Sequence, residues 1–407
     1  TNYCNGVSGD DTVAHEWAHA YTQYTHDLVY QWQPGALNES YSDIFGEVVD
    51  MLNGAGTDAP ATHRAADGSA CSSFGSGAPA TDNSYRWLSG EDDPAFGGAI
   101  RDLWRPECYG DPGKVDSTEY FCAASDEGGV HTNSGVPNHA FALAVDGGTY
   151  NGQNITGLGM TKATHIWWRA MNVYQGPAAN FADHADALEA SCADLVGSNL
   201  PALSTDTASP SPSGLVLAAA DCDDLGDAIA ATELRAEPVR CQFASVLEPN
   251  PPALCFGHGE RTVISSEDWE NGLGSWSADT HDIAQQQTFD TPDWAVVGNL
   301  PSGRSGFAAF VANLDQGNCV NDDESGALNL DSPVIAIPQG TVVPRVAVDH
   351  WLATEAGYDG GNIKISVDGG LSFELIPSSA IDFNPYNTTL ISAPDNTNPL
   401  AGEAAFS

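Results

Sequence analysis

His15-Glu16-Trp17-Ala18-His19 places two imidazoles four residues apart, which on a helix means one turn apart on one face. That spacing lets both ring nitrogens reach a single zinc ion at about 2.0–2.1 Å. Glu16 sits beside them, a carboxylate able to take a proton from a metal-polarised water. Alone, the pentapeptide could also be two ordinary helix histidines. The next segment changes the balance: Gly35-Ala36-Leu37-Asn38-Glu39 opens a second helix, and Asp43 lies one turn beyond Glu39 on the same face. Two antiparallel helices joined by a tight loop can bring Glu39 to the metal as a third ligand. Zinc then keeps its fourth position for water, the pattern of a catalytic rather than a structural site. Asp43 is placed to orient a ligand imidazole.

The elements that must position these residues are helices. Val13, Trp17, Ala20, Tyr21 and Tyr24 repeat at three and four, which predicts a helix from Thr12 to about Tyr24. After the Pro34-Gly35 break a second helix is predicted, with Leu37, Tyr41, Ile44, Phe45, Val48, Val49 and Leu52 on its buried face. The same periodicity predicts helices over 137–145, 161–174, 180–195 and 221–234. Residues 53–98 are rich in Gly, Ser, Asp and Ala and read as long loops. The Ser/Thr/Pro tract at 201–214 reads as an exposed loop between two helices. Residues 1–245 thus form one mainly helical lobe. A linker over 246–260 carries Pro249-Asn250-Pro251-Pro252. From 261 to 407, short alternating runs such as Val334-Ile335-Ala336-Ile337 and Asn362-Ile363-Lys364-Ile365-Ser366-Val367 are broken by Gly-rich turns. That texture predicts an all-β sandwich or jelly roll. The chain stops at Phe406-Ser407 with no closing strand, so the sandwich is expected to be incomplete, with an open edge.

Composition narrows the partners. Thirteen Lys and Arg face 55 Asp and Glu, a formal net charge of -42. Such a surface repels phosphate backbones and anionic lipid, which excludes nucleic acid and membrane as partners. It suits divalent cations or a salty medium that screens self-repulsion. No apolar run approaches the roughly 20 residues of a membrane span. The first residue is Thr1 and no targeting segment is present, so an exported protein is expected to have lost it or to carry it outside this chain. The nine cysteines form no C-x-x-C pair. Dispersed in this way they favour disulfides and an oxidising compartment. Proximity in sequence points to Cys108–Cys122, Cys192–Cys222 and Cys241–Cys255, with other connectivities open. The odd count leaves one thiol free or paired outside the chain, and Cys4 is the candidate for the thiol whose partner was lost.

The motifs, taken together, resemble the zinc core of thermolysin-like neutral proteases. The resemblance rests on His15–His19, Tyr30 and the run from Gly35 to Gly46, with nineteen residues between His19 and Glu39. Zinc aminopeptidases of the same wider group use a shorter spacer and a Gly-x-Met-Glu-Asn motif absent here, which disfavours that reading. Asp126-Glu127-Gly128-Gly129-Val130-His131-Thr132-Asn133-Ser134-Gly135 is similar to the family's second signature, and Arg101 with Tyr109-Gly110-Asp111-Pro112 to its substrate-binding arginine region. The resemblance covers about 1–245.

What it implies is a secreted, monomeric zinc endopeptidase acting on protein or peptide substrates. His15, His19 and Glu39 would hold zinc, and Glu16 would act as general base. Tyr30 and His131 would donate to the developing oxyanion, with Asp126 fixing the His131 imidazole. Arg101 would hold a substrate carbonyl and brace the wall of the zinc site. Thr12 and Ile100 would line the pocket for the residue after the cleaved bond, predicting a bulky hydrophobic residue there. Asp11, Asp50 and Glu91 match calcium-binding positions, while Arg86 and Leu88 depart from them, so a structural Ca2+ ion is expected at a reduced site. The family's N-terminal β-rich lobe is expected to be missing, since only fourteen residues precede His15. Glu267-Asp268-Trp269-Glu270-Asn271-Gly272 and the stretch from Asp349 to Gly361 resemble the sandwich of immune-inhibitor-type secreted bacterial metalloproteases. The alternative is a non-catalytic adhesion or binding protein that retains the protease scaffold. Such a scaffold is expected to have lost Glu16, His131 or a ligand, and none is lost.

Overall fold

The structure is a computed structural model. It describes residues 5–53, 63–64, 71–72, 80–82, 84–206, 210–243, 252, 254, 262–282, 294–298, 300, 305–311, 325–352, 354 and 357–407. Among these, the chain divides into two compact units, one running to Phe243 and one from Pro252 onward.

In the first unit, helices α1 (Asp10–Gln23) and α2 (Trp32–Asn53) pack against each other. Asp11 lies against Gly46, His15 against Asp43 and His19 against Asn38, so each turn up α1 meets one turn back along α2. The pairing is close because Gly46 has no side chain: a Cβ there would lie 2.8 Å from the Asp11 carbonyl oxygen and 3.6 Å from His15 Cβ. Leu37, Tyr41 and Ile44 on α2 are buried, each removal of such a side chain from water stabilising by about 1.5–3 kcal/mol. Leu52, expected on that buried face, is 38% exposed.

The stripe that predicts α1 does not face this unit's core. Trp17, Tyr21 and Tyr24 are 66%, 53% and 81% exposed, while Ala18 and Thr22 are buried. Close helix packing selects small residues on the inner face, so apolar periodicity identifies the helix but not the side it buries.

Around this pair lie α3 (Ser125–Asn133), α4 (Gly135–Asp146), α5 (Met160–Arg169), α6 (Phe181–Leu195) and α7 (Ala219–Ala231); α5 runs on into a π-helical turn over Ala170–Tyr174. Asn180 caps α6, its side chain accepting from Asp183 N while the Asp183 carboxylate accepts from Asn180 N. Phe141, Trp167, Phe181, Leu188 and Leu225 fill the core between the helices. Short strand pairs edge the unit: β1 (Cys71–Ser72) with β2 (Ala80–Asp82), β3 (Leu88–Ser89) with β4 (Arg101–Asp102), β5 (Gly147–Tyr150) with β6 (Gln153–Thr156), and β7 (Asn199–Pro201) with β8 (Pro212–Val216). The last pair brackets the loop expected over 201–214: its two ends pair antiparallel, and the described residues 202–206 and 210–211 lie outside the strands.

Three disulfides form among the described residues, Cys71–Cys108, Cys122–Cys241 and Cys192–Cys222. The Cys192–Cys222 expectation agrees, joining α6 to α7. Cys108–Cys122 and Cys241–Cys255 are corrected, because packing brings together residues 37 and 119 apart in the chain rather than sequence neighbours. Cys4, Cys255 and Cys319 lie outside the described residues.

The second unit contains antiparallel pairs: β9 (Ser277–Asp282) with β12 (Gly326–Asp331), β10 (Ala295–Val297) with β11 (Ala308–Phe310), β13 (Lys364–Ile365) with β14 (Glu374–Leu375), and β15 (Thr388–Thr389) with β16 (Ala404–Ala405). Among the described residues no sheet has more than two strands, so the expected sandwich is present only as strand pairs. The alternating run from Val334 to Val348 is exposed, with Val334 at 83% and Val346 at 82%. A hydrophobic alternation makes a sheet only where a neighbouring strand takes its hydrogen bonds.

Candidate active site

The antiparallel register of α1 and α2 gathers His15, His19 and Glu39 to one point. Their Nε2, Nε2 and carboxylate oxygen atoms lie within 4.8 Å of one another. His15 Nε2 and His19 Nε2 are 3.1 Å apart; Glu39 Oε2 is 3.5 Å from the first and Oε1 3.4 Å from the second. Each imidazole is turned by its other nitrogen. His19 Nδ1 faces Asn38 Oδ1 at 2.7 Å, and Asn38 Nδ2 donates to the Leu28 carbonyl, which fixes which way the amide points. His15 Nδ1 lies 2.9 Å from Asp43 Oδ1. With protons held at Nδ1, both Nε2 atoms present lone pairs toward each other.

This donor set fits zinc. Bonds of about 2.0–2.1 Å in a tetrahedron put ligand atoms roughly 3.3–3.4 Å apart, close to the separations here. Glu39 Oε2 is moreover buried with no hydrogen-bond partner among the described residues. Two opposed lone pairs and a buried carboxylate oxygen are costly arrangements unless a cation joins them.

Asp43 is the support behind the cluster. Besides facing His15, it accepts from Arg101 Nε at 2.8 Å, Arg101 Nη2 at 2.6 Å and Asn138 Nδ2 at 2.8 Å. Burial works against its charge, but the Arg101 guanidinium and His15 outweigh that and hold its pKa well below the usual carboxylate range. Arg101 is delivered by β4, whose next residue, Asp102, is tied to buried Arg64 at 3.0 and 3.1 Å. Asn38 and Asn138 are supports that sequence reasoning missed; Asn38 stands beside Glu39 in the motif, whereas nothing in the sequence marks Asn138. Asp111 was given no role either, and burial pushes its carboxyl up to about 7 against the pull of Arg101.

His131 approaches from α3. The first part of that element is not helical: Asp126, Glu127, Gly128 and Gly129 all have positive φ, from 45° to 91°. Gly129 is required there twice over, by φ of 78° and because a Cβ would meet the Phe121 ring at 2.5 Å. The left-handed turn folds Asp126 back so that its carboxylate accepts from His131 N at 3.0 Å and meets His131 Nδ1 at 2.6 Å. His131 Nε2 is thereby aimed at the Tyr30 hydroxyl, 3.2 Å away, and at Glu39 Oε1, 3.5 Å away. The Tyr30 hydroxyl itself donates to Glu39 Oε1. Burial, with Glu39 next, pushes the Tyr30 pKa up, so the phenol keeps its proton.

Residues 26–208 match the family described as thermolysin metallopeptidase, alpha-helical domain. The helical unit is thermolysin-like. A zinc metalloproteinase of Renibacterium salmoninarum is 34% identical over 204 residues, 49% of this chain and 32% of its own. Bacillolysin of Brevibacillus brevis is 38% identical over 194 residues, 47% of this chain and 30% of its own. Thermolysin of Alicyclobacillus acidocaldarius subsp. acidocaldarius is 36% identical over 193 residues, again 47% and 30%. The chain thus spans about a third of the length of these relatives.

Within this thermolysin-like lobe the remaining expected residues fall as follows. Glu16 is exposed on α1, between the two histidines. Ile100 is 37% exposed and precedes Arg101. Thr12 turns its hydroxyl to the Asp93 carboxylate. The expected calcium set of Asp11, Asp50 and Glu91 does not gather as a group: Asp11 accepts from the backbone N–H groups of Thr12 and Gly90. The acids that converge are instead Asp10, Asp50 and Asp92, whose oxygens lie within 4.8 Å of one another. Neighbouring helix positions differ by about 100° in direction, enough to exchange Asp11 for Asp10. Arg86, which departs from the calcium-binding pattern, forms a two-point ion pair with Asp146.

Proposed function

We propose that the chain carries the catalytic lobe of a zinc-dependent endopeptidase. The observation that carries this reading is the convergence of His15, His19 and Glu39 on one point, with Glu16 open beside them and His131 and Tyr30 facing it. A zinc ion held by the three ligands would polarise a water and the scissile carbonyl and draw off developing negative charge. Glu16 takes the proton of the attacking water and hands it to the leaving amine. Tyr30 donates to the oxyanion; His131 donates to it from Nε2 once that nitrogen carries a proton, with its Nδ1–H held by Asp126. Asp43 keeps His15 in register. Arg101 spends two of its five N–H groups on Asp43, leaving three for a substrate carbonyl.

Ile100, exposed beside Arg101, supports a preference for a bulky apolar residue after the cleaved bond; the Thr12 hydroxyl is taken by Asp93. Three disulfides support export to an oxidising compartment. No helix among the described residues is long and apolar enough to cross a membrane. A net charge of -42 opposes self-association and contact with nucleic acid, which supports a monomer acting on peptide substrates. Structural calcium is read at Asp10, Asp50 and Asp92, and a melting temperature insensitive to calcium would remove it. The second unit is read as an accessory sandwich domain, supported by its antiparallel pairs.

The deciding experiment is hydrolysis of a quenched peptide with Leu after the scissile bond, by the zinc-loaded chain and its Glu16→Gln variant. Loss of hydrolysis by at least about a hundredfold, with zinc still bound, is expected. Equal rates in the two proteins, or none in either, would favour the binding-scaffold reading.

A further inference from the structure

We propose that the segment from Thr118 to Cys122, fastened by the Cys122–Cys241 disulfide, positions His131, and that Asn133 is the residue through which it acts. The Asp126–His131 pair is too exposed to hold itself: the two side chains are 34% and 48% accessible, where ion pairs contribute little. It also sits on four successive residues in the left-handed region, two of them not glycine. Such a conformation costs on the order of 1–3 kcal/mol at each non-glycine position and persists only where its surroundings over-determine it.

Those surroundings are specific. Asn133 is buried, and its side-chain amide takes both backbone groups of Phe121: Oδ1 accepts from Phe121 N at 2.9 Å and Nδ2 donates to Phe121 O at 3.0 Å. The same Nδ2 reaches Gly128 O at 3.4 Å, inside the left-handed turn. The Phe121 ring occupies the space beside Gly129. The turn is thus gripped by Asn133 on one side and Phe121 on the other. The gripping segment is tied down at its ends. Cys122 bonds to Cys241, the Arg240 guanidinium donates to the carbonyls of Thr118 and Tyr120, and the Tyr120 hydroxyl accepts from Gln33 on α2. Among the described residues, the hydrogen bonds of Asn133 and the tether go neither to the reacting side chains nor to the zinc ligands. They are positioning groups.

The inference rests on the proteolytic reading for its kinetic arm only, so the test has a second arm. In the full chain, Cys122→Ser with Cys241→Ser, and separately Asn133→Ala, are expected to lower kcat about 10- to 100-fold, with KM changed by less than about threefold and zinc content unchanged. Independently, 15N ring shifts of labelled His131 are expected to show one fixed Nδ1–H tautomer in the parent and an averaged pair in both variants. Parent-like kcat and ring shifts in a folded, zinc-loaded variant would overturn the proposal. So would a lowered melting temperature with kcat and ring shifts intact, which is the signature of a merely structural role. If the cysteine variant does not fold, the Asn133→Ala arm decides. If the parent hydrolyses nothing, the proteolytic reading fails while the ring shifts still decide the positioning.

Discussion

Arg101 grips both oxygens of Asp43, with Nε 2.8 Å from Oδ2 and Nη2 2.6 Å from Oδ1. The consequence reaches the metal site, because Asp43 in turn faces His15 Nδ1. Arg101→Leu should therefore weaken zinc binding about 10- to 100-fold, although Arg101 touches no ligand atom. Competition with a coloured chelator measures this directly. Arg101→Lys should recover little, since an ammonium cannot meet two carboxylate oxygens in one plane. Zinc affinity equal to the parent in Arg101→Leu would show that Asp43 needs no guanidinium behind it.

Tyr30→Phe removes a hydroxyl that donates to Glu39 and faces His131. Loss of one oxyanion donor typically costs about two to three powers of ten in kcat. That loss is expected here with zinc retained, as read by steady-state kinetics beside metal analysis. A large fall in zinc content with little change in kcat per bound metal would instead assign Tyr30 to holding Glu39.

Two histidines away from the site should set acid stability. His26 and His184 flank Tyr41 edge-on, with ring centroids 5.0 and 5.6 Å away. Burial, aided for His26 by the neighbouring His184, pushes both down to about 3. Unfolded, the same rings titrate near 6.5. Between those limits the unfolded chain holds the proton and the folded chain does not. Stability should therefore fall as pH drops from about 6.5 toward 3, by about 1.4 kcal/mol per pH unit for each histidine. His184→Ala should flatten the slope by about one proton's worth over pH 4–6. Denaturant melts of the two zinc-loaded proteins, compared at each pH, cancel the contribution of the metal ligands. An unchanged slope would mean that His184 takes up its proton without unfolding.

Arg64→Met should destabilise by about 3–5 kcal/mol, because it strands the buried Asp102 carboxylate. Both side chains are fully buried, and burial raises the Asp102 pKa even against the guanidinium. Denaturant midpoints with unchanged m-value would establish it. The loss should be smaller in Arg64→Met with Asp102→Asn, since no uncompensated charge then remains.

The convergence of His15, His19 and Glu39 is legible in the sequence because two regularities suffice. Helical period puts His15 with His19 and Glu39 with Asp43, and one antiparallel pairing brings the two faces together. The later helices follow from the same period. What escapes is whatever depends on a third dimension. Cys122 finds Cys241 across 119 residues because the fold sets Arg240 against the carbonyls of Thr118 and Tyr120, not because of spacing. Two glycines hint at a turn before His131, but nothing tells that Asp126 and Glu127 also adopt positive φ. Asp10 and Asp11 are chemically equal and adjacent, so only the helix orientation decides which one joins Asp50. Trp17 and Tyr21 look like core residues to any pattern and lie exposed in this unit.

The close approach at Gly46 acts on the metal site as the stop acts on a caliper. Backbone contact between α1 and α2 sets the gap across which His15 and Glu39 face each other, before any cation arrives. Binding then needs no helix to move, and the frame rather than the ligands limits how large an ion fits. Ions with bonds of about 2.3–2.6 Å, such as calcium, would have to pry the helices apart. Selectivity by size is in that sense written into a residue that has no side chain and never meets the metal.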